Sequence, residues 1–260
     1  MSLLRTDALT MRFAGLVALD VVDLAVAAGS IHALIGPNGA GKTTMFNLIS
    51  GLMPPTAGAI NLDSADITAL PAYARAALGM ARSFQNIRIF ASMTVLENVL
   101  TGLHATIAPG LIGTLLRRPA FRRQESDAVA RARAALDLVG LTARADDRAA
   151  ALAYGDQRRL EIARAVVGKP RLLLLDEPAA GMNPAEGVAL SDLIRRIRDA
   201  GTTVLLVEHD MGFVMRLADQ VTVLNFGRRI AEGTPAEIRR DPTVITAYLG
   251  AKVAARLNAA

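Results

Sequence analysis

Residues 36 to 44 read GPNGAGKTT, a spacing of glycines, one lysine and two threonines suited to holding phosphate. The run matches G-x-x-x-x-G-K-[ST], follows an apolar stretch, Ile31 to Ile35, and precedes a helical one, Met45 to Ser50. Gly36, Gly39 and Gly41 let the backbone curl so that successive N–H groups face phosphate oxygens, and the positive end of the next helix adds attraction. Pro37, Asn38 and Ala40 complete the loop. Lys42 is placed to bridge the β and γ phosphates, Thr43 to offer its hydroxyl to Mg2+, and Thr44 to add a phosphate contact. A second apolar run, Leu172 to Leu175, ends in Asp176 and Glu177. Two carboxylates thus stand at the carboxyl edge of a strand, Asp176 to hold Mg2+ through its water shell and Glu177 to polarise an attacking water. The chemistry expected is hydrolysis of a nucleoside triphosphate.

These residues need a scaffold of strands and helices. Short apolar runs at Ile31 to Ile35, Leu172 to Leu175, Thr203 to Val207 and Gln220 to Leu224 are bounded by Gly, Pro or charge, as buried parallel strands are. Helical patterns alternate with them. One opens at Asn183, with Pro184 in the first turn and Glu186 three positions after the cap, and ends before Gly201. Another runs from Gln157 to Val167 and stops at Gly168 and Pro170. The first thirty residues alternate in short strand-like pieces. Strand alternating with helix implies a three-layer α/β core, and Gln85 to about Gly168, mostly helical in pattern, is the candidate insertion.

Composition narrows the function classes. The 260 residues, 52% hydrophobic, suffice for one large packed domain with an inserted subdomain. Without cysteine there are no disulfides, thiol catalysis or Cys-ligated zinc, and His32, His104 and His209 are too scattered for a metal cluster. Any metal must be held by oxygen. The start MSLLRTDALTMRF, interrupted by Arg5, Asp7 and Arg12, is not expected to be a signal peptide. Val99 to Leu116 lacks Asp, Glu, Lys and Arg, but Pro109, His104 and its three glycines argue for a buried or partner-facing helix pair instead of a bilayer span. The net charge is +5. Within it, the cluster Arg117, Arg118, Arg122 and Arg123 reads as a solvated face, with lipid headgroups as the second reading. No lysine follows an asparagine, so guanine specificity has no support.

Between the phosphate loop and Asp176 lies LAYGDQRRLEIARAV, residues 152 to 166, which resembles the LSGGQ signature of the ABC ATPases. The family's other elements follow in its order: Gln85 as the Q-loop, AAGMNP (179 to 184) as the D-loop, and His209 in VEHD as the switch histidine. The resemblance implies an α/β P-loop ABC ATPase core with an antiparallel β subdomain and an inserted α-helical subdomain. Its parts would be 1–84 for the β subdomain and phosphate-loop part, 85–168 for the helical signature subdomain, 169–250 for the rest of the core, and 251–260 as a disordered tail. It implies ATP and Mg2+ as cofactors, with Glu177, His209 and Gln85 catalytic and Thr43, Gln85 and Asp176 about the metal. Phe13 would stack on adenine and Val17 lie against the ribose. Ala153, Tyr154, Gly155 and Asp156 would meet the γ-phosphate of a second ATPase, head to tail. Here Ala153 stands for the family's serine, Tyr154 for a glycine and Asp156 for the glutamine. A lost serine contact is worth about 1–3 kcal/mol if unreplaced.

Beyond the catalytic set, RFAGLVALDVV, SFQNIRIFASMTVLENV, EHDMGFVMRLADQVTVLNFGRRIAEGTPAEI and PTVITAYLG resemble the LivG-like ATP-binding subunits of branched-chain amino acid importers. That resemblance implies as partners a second ATPase, LivF-like or a copy of the chain, two membrane permeases and, indirectly, a periplasmic solute-binding protein, but no nucleic acid. It also implies a peripheral location on the cytoplasmic face of the inner membrane. The alternatives are the ATPase of a lipopolysaccharide exporter, a soluble ABC ATPase acting on nucleic acid or ribosomes, and a regulatory module that binds ATP without cleaving it.

Overall fold

The computed structural model describes residues 1–84, 87–104 and 119–249. In chain order its main elements are β1 (Ser2–Phe13), β2 (Leu16–Ala27), β3 (Ile31–Ile35), α1 (Lys42–Ile49), β4 (Ala57–Leu62), β5 (Ala65–Asp66), α2 (Ala72–Ala77) and β6 (Met80–Arg82). There follow α3 (Val95–Thr101), α4 (Pro119–Val139), α5 (Tyr154–Val166), β7 (Leu172–Asp176), α6 (Pro184–Asp199) and β8 (Thr203–Val207). The chain closes with α7 (Met211–Leu217), β9 (Gln220–Asn225), β10 (Arg228–Gly233), α8 (Pro235–Ile238) and α9 (Pro242–Leu249). They fall into two compact units, Met1–Arg75 with Leu174–Ala260, and Ala76–Leu173.

The first unit holds two sheets. One is antiparallel in the order β2-β1-β4-β5; in the other the order runs β10-β9-β3-β8-β7, with β3 parallel to both β8 and β9. Every residue of β3, β7 and β8 is buried, as continuous Val/Ile/Leu runs in a covered parallel sheet must be. The four runs expected as strands are strands, whereas the first thirty residues form two strands of 12 residues each in place of short pieces. The physical reason is bulging. Ala8 and Val21 take φ 49° and 53°, and the β1–β2 register shifts around them, so the alternation restarts and imitates separate strands.

Helix α1 carries the phosphate loop at its N-terminus and is anchored at the other end. Arg75, 1% exposed, donates to the carbonyl oxygens of Leu48 and Ile49, both at 2.7 Å, satisfying groups that the helix leaves open. Helix α6 starts where its capping box predicts: the Asn183 side chain accepts from Glu186 N–H at 3.0 Å, and Glu186 accepts from Asn183 N–H at 2.9 Å.

The second unit is mainly α3, α4 and α5 packed together, with β6 at its start. Its core contains an ion pair, Arg158 Nη1 to Glu161 Oε2 at 2.9 Å, with side chains 0% and 1% exposed. Arg158 also donates to Phe84 O at 2.8 Å, and Glu161 accepts from Phe84 N–H at 3.3 Å. Helix α5 begins at Tyr154, three residues before the expected Gln157. Gly155 and Asp156 read as helix breakers, but a first turn tolerates both, since its N–H groups lack intrahelical acceptors and favour an acid nearby. Of the uncharged stretch, Val99 to Thr101 end α3, and 105 to 116 lie outside the described residues. Arg117, Arg118 and the tail 251–260 also lie outside them, while Arg123 is exposed. Among the described residues no helix is long and apolar enough to cross a membrane.

Candidate functional site

The phosphate loop joins β3 to α1 in a shape that only glycine permits at two points. At Gly36, φ 152°, a Cβ would lie 2.1 Å from Leu224 O; at Gly41, φ 102°, it would lie 2.7 Å from Ala18 O. Gly41 caps α1 in the left-handed conformation. Lys42 is 8% exposed and its ammonium donates to Gly36 O at 2.6 Å and Pro37 O at 3.0 Å, drawing the loop around it. Burial pushes the Lys42 amine below its ordinary range, and the Glu177 carboxylate pulls the other way. Asn38 to Thr44 line a pocket of about 390 Å³ together with Phe13, Leu16, Val17, Ala18, Glu177 and Phe226. Phe13, Val17 and Glu177 are thus brought to the loop.

Asp176 ends β7 and is 6% exposed. Glu177 follows at φ 46°, in the left-handed region, with its N–H donating to Val207 O at 2.9 Å. That bend carries its side chain off the strand axis, where it lines the pocket. His209 Nδ1 lies 3.7 Å from Glu177 Oε2 and 3.9 Å from Glu208 Oε2, beyond hydrogen-bond length, on a side chain 59% exposed.

Glu208 was not singled out in the sequence. Its side chain, 0% exposed, accepts from the N–H groups of Ala179 at 2.8 Å, His209 at 3.1 Å and Asp210 at 3.5 Å. It therefore fixes the segments after Glu177 and around His209. Burial raises its carboxyl above the ordinary range, against the pull of those three hydrogen bonds. An acid directly after an apolar strand was the available signal. Leu16 and Phe226 were missed as well, and an aromatic before a glycine in a turn announces no chemistry.

The signature residues belong to the second unit. Ala153 is the N-cap of α5, with extended backbone and no side-chain cap; Gly155 and Asp156 fall in its first turn, and Asp156 pairs with Arg159 at 3.4 Å. Tyr154 is 49% exposed. Gln85 lies outside the described residues. This unit also holds a cavity of about 1000 Å³, larger than the phosphate pocket, lined by Phe84, Phe90, Leu100 and Arg164 among others. The G-x-x-x-x-G-K-[ST] residues line the smaller one.

The ABC transporter family model matches residues 19–180, and a model described as a branched-chain amino acid ATP-binding cassette transporter matches 228–254. The chain is 49% identical to the high-affinity branched-chain amino acid transport ATP-binding protein LivG of Escherichia coli (strain K12), over 95% of this chain and 98% of that one. To BraF of Pseudomonas aeruginosa, of the same description, it is 48% identical over the same shares. Among solved structures, a nucleotide-free ATP-binding cassette from an ABC transporter superposes with a TM-score of 0.83 at 30% identity, covering 95% of this chain and 99% of that one. With a glycine-shaped phosphate loop, two acids at a strand end and these relatives, the chain belongs to the ABC transporter family, as one of its ATP-binding and ATP-hydrolysing subunits.

Proposed function

We propose that this subunit powers the uptake of branched-chain amino acids, its ATP bound in the pocket of the first unit. The observation that carries the site is the convergence of the Asn38 to Thr44 loop and Glu177 on one pocket, with His209 3.7 Å from Glu177. The solute reading is supported by 49% identity to LivG and by the match of residues 228–254.

In this reading the loop N–H groups and Lys42 hold the β and γ phosphates, and Phe13 and Val17 take adenine and ribose. Glu177 accepts a proton from the water that attacks the γ-phosphorus; the bond to the β–γ bridging oxygen breaks, and ADP leaves. His209 holds the γ-phosphate. Among the described residues no group of three or more His, Asp or Glu that could hold a metal occurs. The Thr43 hydroxyl and the Asp176 carboxylate are oxygen donors that fit Mg2+, which keeps waters and takes substrate oxygens with one or two protein oxygens. Thr43 and Asp176, with Gln85, would hold it, and it would neutralise charge developing on the phosphates. Ala153, Tyr154, Gly155 and Asp156 serve the nucleotide of a second ATPase, LivF-like or a copy of the chain. Segment 85–168 acts as the signature subdomain. The working assembly adds two permeases and a periplasmic binding protein, with this chain on the cytoplasmic face of the inner membrane.

The test pairs hydrolysis with transport. Glu177→Gln should abolish turnover and leucine uptake in a deletion strain while ATP affinity stays within about threefold. A normal hydrolysis rate in that variant would remove Glu177 from its role. Uptake of leucine, isoleucine and valine that persists without this subunit would refute the solute assignment.

A further inference from the structure

Three large apolar side chains on the lining of the phosphate pocket are exposed: Phe13 at 41%, Leu16 at 66% and Phe226 at 85%. Phe226 and Gly227 form the two-residue turn between β9 and β10, at φ 46° and 76°. Hairpin turns with both central residues left-handed favour Asn, Asp or Gly at the first position, so a phenylalanine there works against the turn. Backbone strain of this kind persists where the surrounding structure enforces it and the side chain is wanted in place.

The turn is held by Ala40 on one side and Asp20 on another. Gly227 N–H donates to Ala40 O of the phosphate loop at 3.0 Å, Asp20 N–H donates to Gly227 O at 2.8 Å, and Arg228 pairs with Asp20 at 2.6 Å. Helix α9 lies beside it, with Pro242 and Thr246 lining a second pocket of about 540 Å³ that Phe226 shares, yet the ring remains largely uncovered. The loop residues Asn38 to Thr44, Lys42 and the two threonines among them, and the exposed side chains of Phe13, Leu16 and Phe226 thus line one pocket. A ligand matching both carries a polyphosphate and a flat, apolar-faced ring system.

We propose that Phe226 is a second aromatic contact for the nucleoside end of the nucleotide, supplementing Phe13 and contributing to affinity for the base and not for the phosphates. This rests on the reading that ATP binds in this pocket. A backbone pinned in advance has little freedom left to lose on binding, and an aromatic pair of this type carries about five- to tenfold in affinity.

The experiment measures calorimetric affinities of the full chain for ATP and for inorganic tripolyphosphate, together with melting temperatures. Phe226→Gly removes the ring and relieves the left-handed backbone, so its melting temperature should hold or rise. ATP affinity should nevertheless fall about five- to tenfold, with tripolyphosphate affinity unchanged within about twofold. Phe226→Tyr should retain ATP affinity. Unchanged ATP affinity in Phe226→Gly overturns the proposal. So does an equal loss for both ligands, which would mean that the turn acts only on the loop through Gly227 and Ala40. Lys42→Ala is the control and should weaken both ligands; retention of both there overturns the pocket assignment itself, a different failure from one confined to Phe226.

Discussion

In the first unit the candidate site is held largely by main chain: glycines shape the loop of residues 36–44, a left-handed Glu177 is tied to Val207 O, and Glu208 gathers three backbone N–H groups. In the second, the signature helix is held by side chains, the buried pair of Arg158 and Glu161 clasping both the N–H and the carbonyl of Phe84. The difference follows from what each region faces. Phosphate is recognised by convergent amides, which tolerate no rearrangement of backbone. A helix N-terminus that presents its first turn needs only correct orientation, and an ion pair in a dry core supplies that with strong geometric preference.

The comparison breaks most readily at the ion pair. Arg158→Leu leaves a buried carboxylate uncompensated and should cost about 3–5 kcal/mol. Hydrogen exchange should show the loss of protection confined to 76–173; equal loss in 1–75 would mean that the units do not respond separately. In the first unit Glu208→Leu should cost less, about 2–3 kcal/mol, because three stranded N–H groups are partly offset by removing a poorly solvated charge. Turnover should fall at least tenfold as His209 loses its anchor. A variant with normal turnover would show that Glu208 does no more than fill space.

The third effect is a pH dependence placed in the first unit alone. His32, 1% exposed with Nε2 2.8 Å from Thr222 Oγ1, is held by burial at about 4, below its ordinary 6.5. The unfolded chain takes up a proton first, so this contribution is complete above pH 6.5 and is lost as pH falls towards 4. Between pH 7 and pH 5 the loss amounts to about 2 kcal/mol. Urea midpoints should show it, and His32→Gln should flatten it; an equally steep slope in that variant would assign the effect elsewhere. The smallest effect should be common to both units. Asn183→Ala and Thr94→Ala each remove the side-chain half of a capping box and should cost about 1 kcal/mol by thermal unfolding. A cost several times larger at either would mean that the cap supports tertiary packing too.

Much of the site was legible because its chemistry is local. A strand, nine consecutive loop residues and a helix suffice to mark a candidate phosphate loop, and the runs at Ile31, Leu172, Thr203 and Gln220 are strands because a buried parallel strand has little choice but to be apolar throughout. The cap at Asn183 was readable for the same reason, since donor and acceptor lie three residues apart. The first thirty residues were misjudged because positive φ at Ala8 and Val21 breaks the alternation without any glycine to mark it.

What the sequence determined by itself was therefore the glycine-rich loop between a strand and a helix, the two acids at a strand end, four buried strands, the capped helix at Asn183 and the family. Tertiary structure alone decided that Glu208 is the anchor beside His209, that the His32 ring is buried against Thr222, that Arg158 and Glu161 bond to Phe84, and that Phe226 stands with Phe13 at the phosphate pocket. These contacts join residues up to 190 positions apart, as His32 and Thr222 are. Their strength depends on burial and mutual geometry, which residue type and spacing along the chain do not carry.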